Sequence, residues 1–203
     1  MMPPPMTATS YLIVLIAMLC LSPPQRARVY YGTMITHRRV DVERDAETLY
    51  ELHTHANYFS SSPWVTSSTS FERYRDHWLT TPQPKEFLGN VKKSLKDPRT
   101  VAELWEVDGE PAGFVHVRFT DVEGYGFTHA DVYDLAVAPE FRRMGIGSQM
   151  MAFAEESARE SGAHALYIDT GWENEPARSL YVKRGFRARE IGYEMLFRRP
   201  DPL

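Results

Sequence analysis

The residues best placed to do chemistry lie between Asp131 and Ser148, in the run Asp-Val-Tyr-Asp-Leu-Ala-Val-Ala-Pro-Glu-Phe-Arg-Arg-Met-Gly-Ile-Gly-Ser. Val132, Leu135, Ala136 and Val137 read as a strand, and Pro139 stops it because proline cannot donate to a sheet ladder. The chain then turns through Arg142-Arg143-Met144-Gly145-Ile146-Gly147 into a helix that the apolar spacing carries to about Ser161. Glycines ahead of a helix remove the Cβ atoms that keep a ligand off the backbone. The first amides of the helix have no partner in the chain, and the helix dipole is positive there. With Arg142 and Arg143 adding permanent charge, the arrangement suits a pyrophosphate. Taken alone, Arg-x-x-Gly-x-Gly is also what a tight strand-to-helix turn with solvated arginines looks like.

A second block narrows the choice. After a strand Ala165–Thr170 comes Asn174-Glu-Pro-Ala177-Arg-Ser-Leu180-Tyr181-Val-Lys-Arg-Gly185-Phe186. Together the two blocks resemble the GNAT N-acetyltransferase superfamily, in the family's order and at its usual separation. The resemblance runs from about Met34 to Arg198. It implies a single-domain fold whose mixed sheet of six to seven strands splays at an acetyl-CoA site, with acetyl-CoA as co-substrate.

The resemblance also implies roles. Leu135, Ala136 and Val137 would meet the pantetheine arm and the oxyanion through their backbone. Arg142, Arg143, Met144, Gly145, Ile146, Gly147 and Ser148 would hold the pyrophosphate. Asn174 matches the family's asparagine near the pantetheine arm, and Arg178 would approach the phosphate end. Tyr181 stands where the family's acid protonates the departing thiolate. Asp131 sits where some members carry a catalytic glutamate, and simple alternation puts it on the face of Tyr133, Leu135 and Val137. An aspartate of ordinary pKa ~3.9 is a poor base unless burial raises it. Glu103, His116 and Asp134 are rivals for the part, and Trp172 and Glu173 flank the expected acceptor mouth.

The elements that must position these groups are readable in order. Ile35–Val42 reads as a strand. Asp45 can cap a helix whose Leu49, Leu52 and Ala56 recur at three and four. A polar loop, residues 60–70, precedes a helix announced by Thr69-x-x-Glu72, with Phe71, Tyr74 and Trp78 on one face. A further helix follows Pro84, with Leu88, Val91 and Leu95 inward. This 60–97 insertion is longer than the family's minimal connection and reads either as a substrate lid or as plain core around Trp64, Tyr74 and Trp78. Strands 100–107 and 112–119 join at Asp108-Gly109, a strong hairpin signal. Residues 120–129 read as a mobile connection. Strands at 164–170, 186–190 and 193–198 and a helix near 175–184 complete an α/β layer with a mixed sheet.

Composition sets the limits. At 203 residues and 43% hydrophobic content the chain supports one domain with an ample core. The single cysteine, Cys20, excludes an internal disulfide, and no ligand spacing points to a metal. Residues 1–33 hold no acid, three consecutive prolines and an apolar run Tyr11–Leu21 whose 11 residues are too few for a membrane span, which takes ~20. They read as an upstream extension or tail ahead of a domain at 34–203; an export or anchor segment is the alternative. N-terminal sequencing from the native host yields Met34 on the first reading.

Of the 23 basic residues only Arg26 and Arg28 precede Met34, so residues 34–203 carry 21 against 27 acids, a net charge of −6. That disfavours nucleic acid and suits a cationic acceptor. The expectation is therefore a cytoplasmic, metal-free N-acetyltransferase acting on a small-molecule amine, with no membrane span; family members commonly form homodimers. The alternatives are acetylation of a protein lysine or N-terminus, and a non-catalytic acyl-CoA sensor.

Overall fold

The computed structural model describes residues 32–190, 192 and 195. The N-terminal extension and nearly all of the strand expected at 193–198 lie outside them. Five strands form one sheet in the order β1 (Ile35–Arg39), β2 (Val101–Val107), β3 (Glu110–Val122), β4 (Phe127–Val137) and β5 (Ala165–Ile168). The first four are antiparallel neighbours, and β5 joins β4 in parallel. This is the mixed α/β sheet that the sequence implies. Residues 186–190 carry no strand assignment; their expected hairpin partner falls outside the described residues.

Among the described residues four helices precede β2: α1 (Ala46–Ser60), α2 (Pro63–Ser68), α3 (Phe71–Thr80) and α4 (Gln83–Ser94). Helix α5 (Ile146–Glu160) links β4 to β5, and α6 (Glu175–Lys183) follows. Ile146, Met150, Ala154 and Ala158 recur every fourth residue, which gives α5 an apolar stripe. That stripe packs on Trp105, Val107, Val115, Val117, Ala130 and Val132 from one face of the sheet. On the other face, Leu49 and Leu52 of α1, Trp78 of α3, and Phe87 and Val91 of α4 cover Leu104, Phe114 and Ala136. Trp78 is thus core, and Phe87 rather than Leu88 joins Val91 among the buried residues of α4. Among the described residues no helix is long and apolar enough to cross a membrane.

Three local expectations are corrected. Residues 60–70 are not a plain loop, because Pro63 starts the short helix α2. The cap of α3 is Ser70, whose hydroxyl accepts from the Arg73 amide, one residue later than the Thr69-x-x-Glu72 pattern suggests. The 120–129 connection is a hairpin: β3 and β4 stay paired out to Val122 and Phe127, and Gly124 and Gly126 supply the left-handed turn. Asp121 anchors it by accepting from Thr128 Oγ1 (2.8 Å) and from Arg99 (2.9 and 3.0 Å).

Asp45 stands at the N-cap of α1 but makes no side-chain cap. Its carboxylate instead accepts from Arg38 Nη1 and Nη2 (2.7 and 2.9 Å), Arg44 Nε (3.1 Å) and the Asp41 amide (2.9 Å). The carboxylate is 5% exposed, and these bonds pin the start of α1 to β1. Burial pushes its pKa up, but the bonds from Arg38, Arg44 and Asp41 outweigh that and hold it at about 2. A carboxyl depressed in the folded state stabilises above its ordinary pKa and loses that contribution as pH falls through the folded value. Asp45→Asn is expected to cost about 1–3 kcal/mol near neutral pH, less than a fully buried pair because Arg38 is partly solvated. In denaturant titrations the gap to wild type should close between pH 4 and 2, taking the ordinary carboxylate pKa of about 3.9 as its upper edge.

Candidate active site

The site is built around an irregularity in β4. His116 pairs with Asp134 and Val117 with Val132, so Tyr133 is an extra residue, a β-bulge. A one-residue insertion inverts the inside–outside alternation beyond it. Ala130 and Val132 pack with the α5 face before the bulge, and Leu135 and Val137 pack there after it. Asp134 and Ala136 turn to the α1 side, and so does Asp131, which alternates with Ala130 and Val132. The sequence expectation that Asp131 shares a face with Leu135 and Val137 is thereby overturned.

The bulge also ends the parallel pairing. β4 and β5 are in register from His129↔Ala165 to Val132↔Ile168 and no further. Beyond it, the β5-side edge of Leu135, Ala136 and Val137 has no strand partner among the described residues. The splay implied by the family resemblance is present.

The cradle follows directly. After a single 3₁₀ turn at Pro139–Phe141, Arg143 (φ 68°) and Gly145 (φ 84°) adopt left-handed conformations, and Gly145 is the N-cap of α5. Having no side chain, Gly145 leaves the amides of Ile146, Gly147 and Ser148 uncapped; the first helical bond is Gln149 N–H to Gly145 O, 3.1 Å. A Cβ on Gly147 would stand 3.7 Å from Val137 Cγ2 and 3.8 Å from Leu180 Cδ2, filling the space between the end of β4 and α6. An uncapped helix N-terminus facing that open corner fits a pyrophosphate and the arm attached to it. Arg142 is the exception among the expected phosphate ligands. Its Nε donates to Val137 O (3.2 Å) and its guanidinium lies over the Phe59 ring (5.1 Å), so it braces the turn against α1.

Helix α6 presents Tyr181 half-buried beside this corner. Burial, with the negative charge of Asp169 adding to it, pushes the phenol up to about 12, so it keeps its proton at neutral pH. Asn174 caps α6: its Oδ1 accepts from the Ala177 amide (3.4 Å) and its Nδ2 donates to Thr170 Oγ1 (3.0 Å). Those bonds give it a structural task, positioning the β5–α6 turn. Arg178 stacks on Trp172 (4.3 Å), which is 75% exposed. Its Nε is buried without a hydrogen-bond partner among the described residues. Next to Trp172, Gly171 lies against the backbone of Ser60; a Cβ there would be 2.7 Å from Ser60 O, so the end of α1 bridges the gap between β4 and β5.

On the α1 side of the bulge lies a cluster that sequence reasoning found only in part. The buried Asp134 carboxylate lies 2.6 Å from His53 Nδ1 and 3.4 Å from His116 Nδ1. Burial pushes its pKa up, but the bonds from His116 and His53 prevail and hold it below the usual carboxylate range. His53 lines a cleft of about 240 Å³ with Trp78, Gln83, Glu86, Tyr133 and Asp134. His53 had no signal of its own, being one more polar position on an amphipathic helix until α1 meets the bulge. Of the other rivals, Glu103 accepts from His37 (3.1 Å) at the β1–β2 edge, and Asp131 pairs with His129 Nε2 at 3.1 Å.

Residues 47–186 match the acetyltransferase (GNAT) family model. The chain belongs to that family. It is 29% identical over 101 residues to an aminoalkylphosphonate N-acetyltransferase of Salmonella typhimurium, covering 50% of this chain and 66% of that one. It is 41% identical over 68 residues to the chloroplastic GCN5-related N-acetyltransferase 6 of Arabidopsis thaliana, covering 34% and 22%. The matched segment thus spans from about a fifth to just under two thirds of these relatives. An acetyltransferase of Clostridium acetobutylicum solved with acetyl-CoA superposes with a TM-score of 0.59 at 17% identity, covering 80% of this chain and 96% of that one, and so shares the fold.

Gly145 gives this family member a direct test. An alanine there must adopt φ near 84°, which costs about 1–2 kcal/mol, or let the cradle amides turn away. Gly145→Ala is expected to weaken CoA binding about tenfold by calorimetry, with only a small fall in Tm.

Proposed function

We propose that the protein is an acetyl-CoA-dependent N-acetyltransferase whose acceptor is the primary amine of a small molecule. The observation that carries this is the open edge of Leu135–Val137, set between an uncapped helix N-terminus and the protonated hydroxyl of Tyr181. A thioester laid along that edge would have backbone donors at its carbonyl oxygen, the element that stabilises a tetrahedral oxyanion. Tyr181 would protonate the departing thiolate, as its place in the family motif implies. Cradle residues Arg143–Ser148 would hold the pyrophosphate, with Arg142 acting through the turn and Arg178 near the phosphate end, as the family motif implies.

The acceptor amine arrives protonated. With an ordinary pKa of ~10.4, about one molecule in 2,500 is neutral at pH 7. A base is therefore useful, and two carboxylates on the α1 side of β4 compete for that part: Asp131, which the family position implies, and Asp134, which works through a histidine. The small-molecule acceptor is favoured over a protein lysine or N-terminus because α3 and α4 wall the cleft beside the bulge. The Glu86 carboxylate at that cleft suits a cationic acceptor. A silent acyl-CoA sensor would have no use for the half-buried Tyr181.

Thiol release from acetyl-CoA should be followed against polyamines, aminoglycosides, amino acids and a peptide amine. Turnover is expected with a small amine, and Tyr181→Phe should lower kcat by about 10²-fold or more while leaving acetyl-CoA affinity unchanged. Equal turnover by Tyr181→Phe would remove the phenol from the acid's role.

A further inference from the structure

The His53–Asp134 pair has the geometry of an oriented base. Asp134 holds His53 Nδ1 at 2.6 Å, and the imidazole is stacked on Phe87 (3.8 Å, 15°) with Trp78 5.7 Å away, so its plane is fixed. Asn57 Nδ2 donates to His53 Nε2 at 2.8 Å. The proton of His53 is therefore on Nδ1, and Nε2 presents a lone pair. Asn57 is one helical turn nearer Ser60, and Ser60 lies against Gly171 past the end of β5. A carboxylate on Nδ1 that fixes the tautomer and leaves Nε2 basic is the arrangement by which imidazole acts as a general base.

His116, the second imidazole on Asp134, is bound differently. Ser94 donates its hydroxyl proton to Val91 O (2.7 Å), so the Ser94 oxygen accepts from His116 Nε2 at 2.8 Å. With both nitrogens engaged and the ring 1% exposed, His116 holds Asp134 in place.

We propose that His53 is the catalytic base that deprotonates the acceptor amine, that Asp134 is its positioning residue, and that the cleft between α3, α4 and the bulge is the acceptor site. This rests on the acetyl-transfer reading above and replaces Asp131 in it. The charged and titratable groups facing His53 are Asp134 from β4, His116 from β3 and Glu86 from α4, with the Tyr133 hydroxyl at the rim and Arg118 stacked on the Tyr133 ring (3.4 Å).

The incoming ammonium displaces Asn57 and gives one proton to His53 Nε2. The freed nitrogen lone pair forms the N–C bond at the thioester carbonyl carbon. As the adduct collapses, the C–S bond breaks, the thiolate takes the Tyr181 proton, and the nitrogen's second proton passes through water to restore the Tyr181 phenol. Amide and thiol are the products, and one proton passes to water overall.

The test compares wild type with His53→Gln, His53→Ala and Asp134→Asn on the amine that wild type accepts best. Acetyl-CoA affinity and Tm serve as checks that each variant is folded. His53→Gln should lower kcat by about 100-fold or more with acetyl-CoA affinity within threefold of wild type. Added imidazole should restore at least tenfold of the lost rate in His53→Ala and none in His53→Gln, which a merely structural histidine would not show. Asp134→Asn should lower kcat while KM for the amine stays within about threefold. Turnover by His53→Gln within threefold of wild type, or no imidazole rescue in a folded His53→Ala, overturns this assignment alone. A wild type that releases thiol with none of the amines overturns the acetyl-transfer reading and the base with it.

Discussion

One extra residue in one strand sets the terms for the rest of the site. Tyr133 has no partner on β3, and its insertion inverts the alternation of β4. Asp134 is thereby turned under α1, where two imidazoles meet it, while Leu135 and Val137 pack toward α5. At the same point β5 leaves β4. A regular strand would have continued its ladder with β5, closed the edge at Leu135–Val137 and sent Asp134 to the opposite face. Exposed strand edge is ordinarily a liability, and here it lies between the helix cradle and α6.

The framework holds that gap open from both ends of α1. At the start of the helix, the Arg38–Asp45 bonds fix α1 to β1 at the far edge of the sheet. At its end, Ser60 meets Gly171 past the end of β5. Between these anchors, His53 and Asn57 lie over the bulge. A buried carboxylate is costly unless its oxygens are satisfied, and Asp134 and Asp45 both are. Arg142 adds a third tie, from the cradle turn to Val137 O and the Phe59 ring of α1.

Much of this was legible in the sequence because it is local. Gly145 and Gly147 beside the Ile146–Met150–Ala154 stripe announce the cradle, Asp108-Gly109 announces the first hairpin, and Gly185 marks the end of α6. What escaped depends on tertiary pairing. A bulge has no composition of its own, so alternation put Asp131 with Leu135. His53 acquires meaning only when α1 packs on β4. Asp45 carries the residue type of an N-cap, yet a bidentate arginine from β1 takes its carboxylate. Thr69-x-x-Glu72 lost the cap to its neighbour Ser70, an error of one residue within a correctly placed helix.

On the proposed reading, acetyl-CoA lies along the β4 edge beyond Tyr133 and against the first turn of α5. Hydrogen–deuterium exchange at single-amide resolution, with and without saturating acetyl-CoA, tests it most directly. Slowed exchange is expected at Leu135–Val137 and at Ile146–Ser148, with Val115 and Val117 on the paired side of the sheet unchanged. Tight acetyl-CoA binding that leaves both segments at their free rates would contradict it.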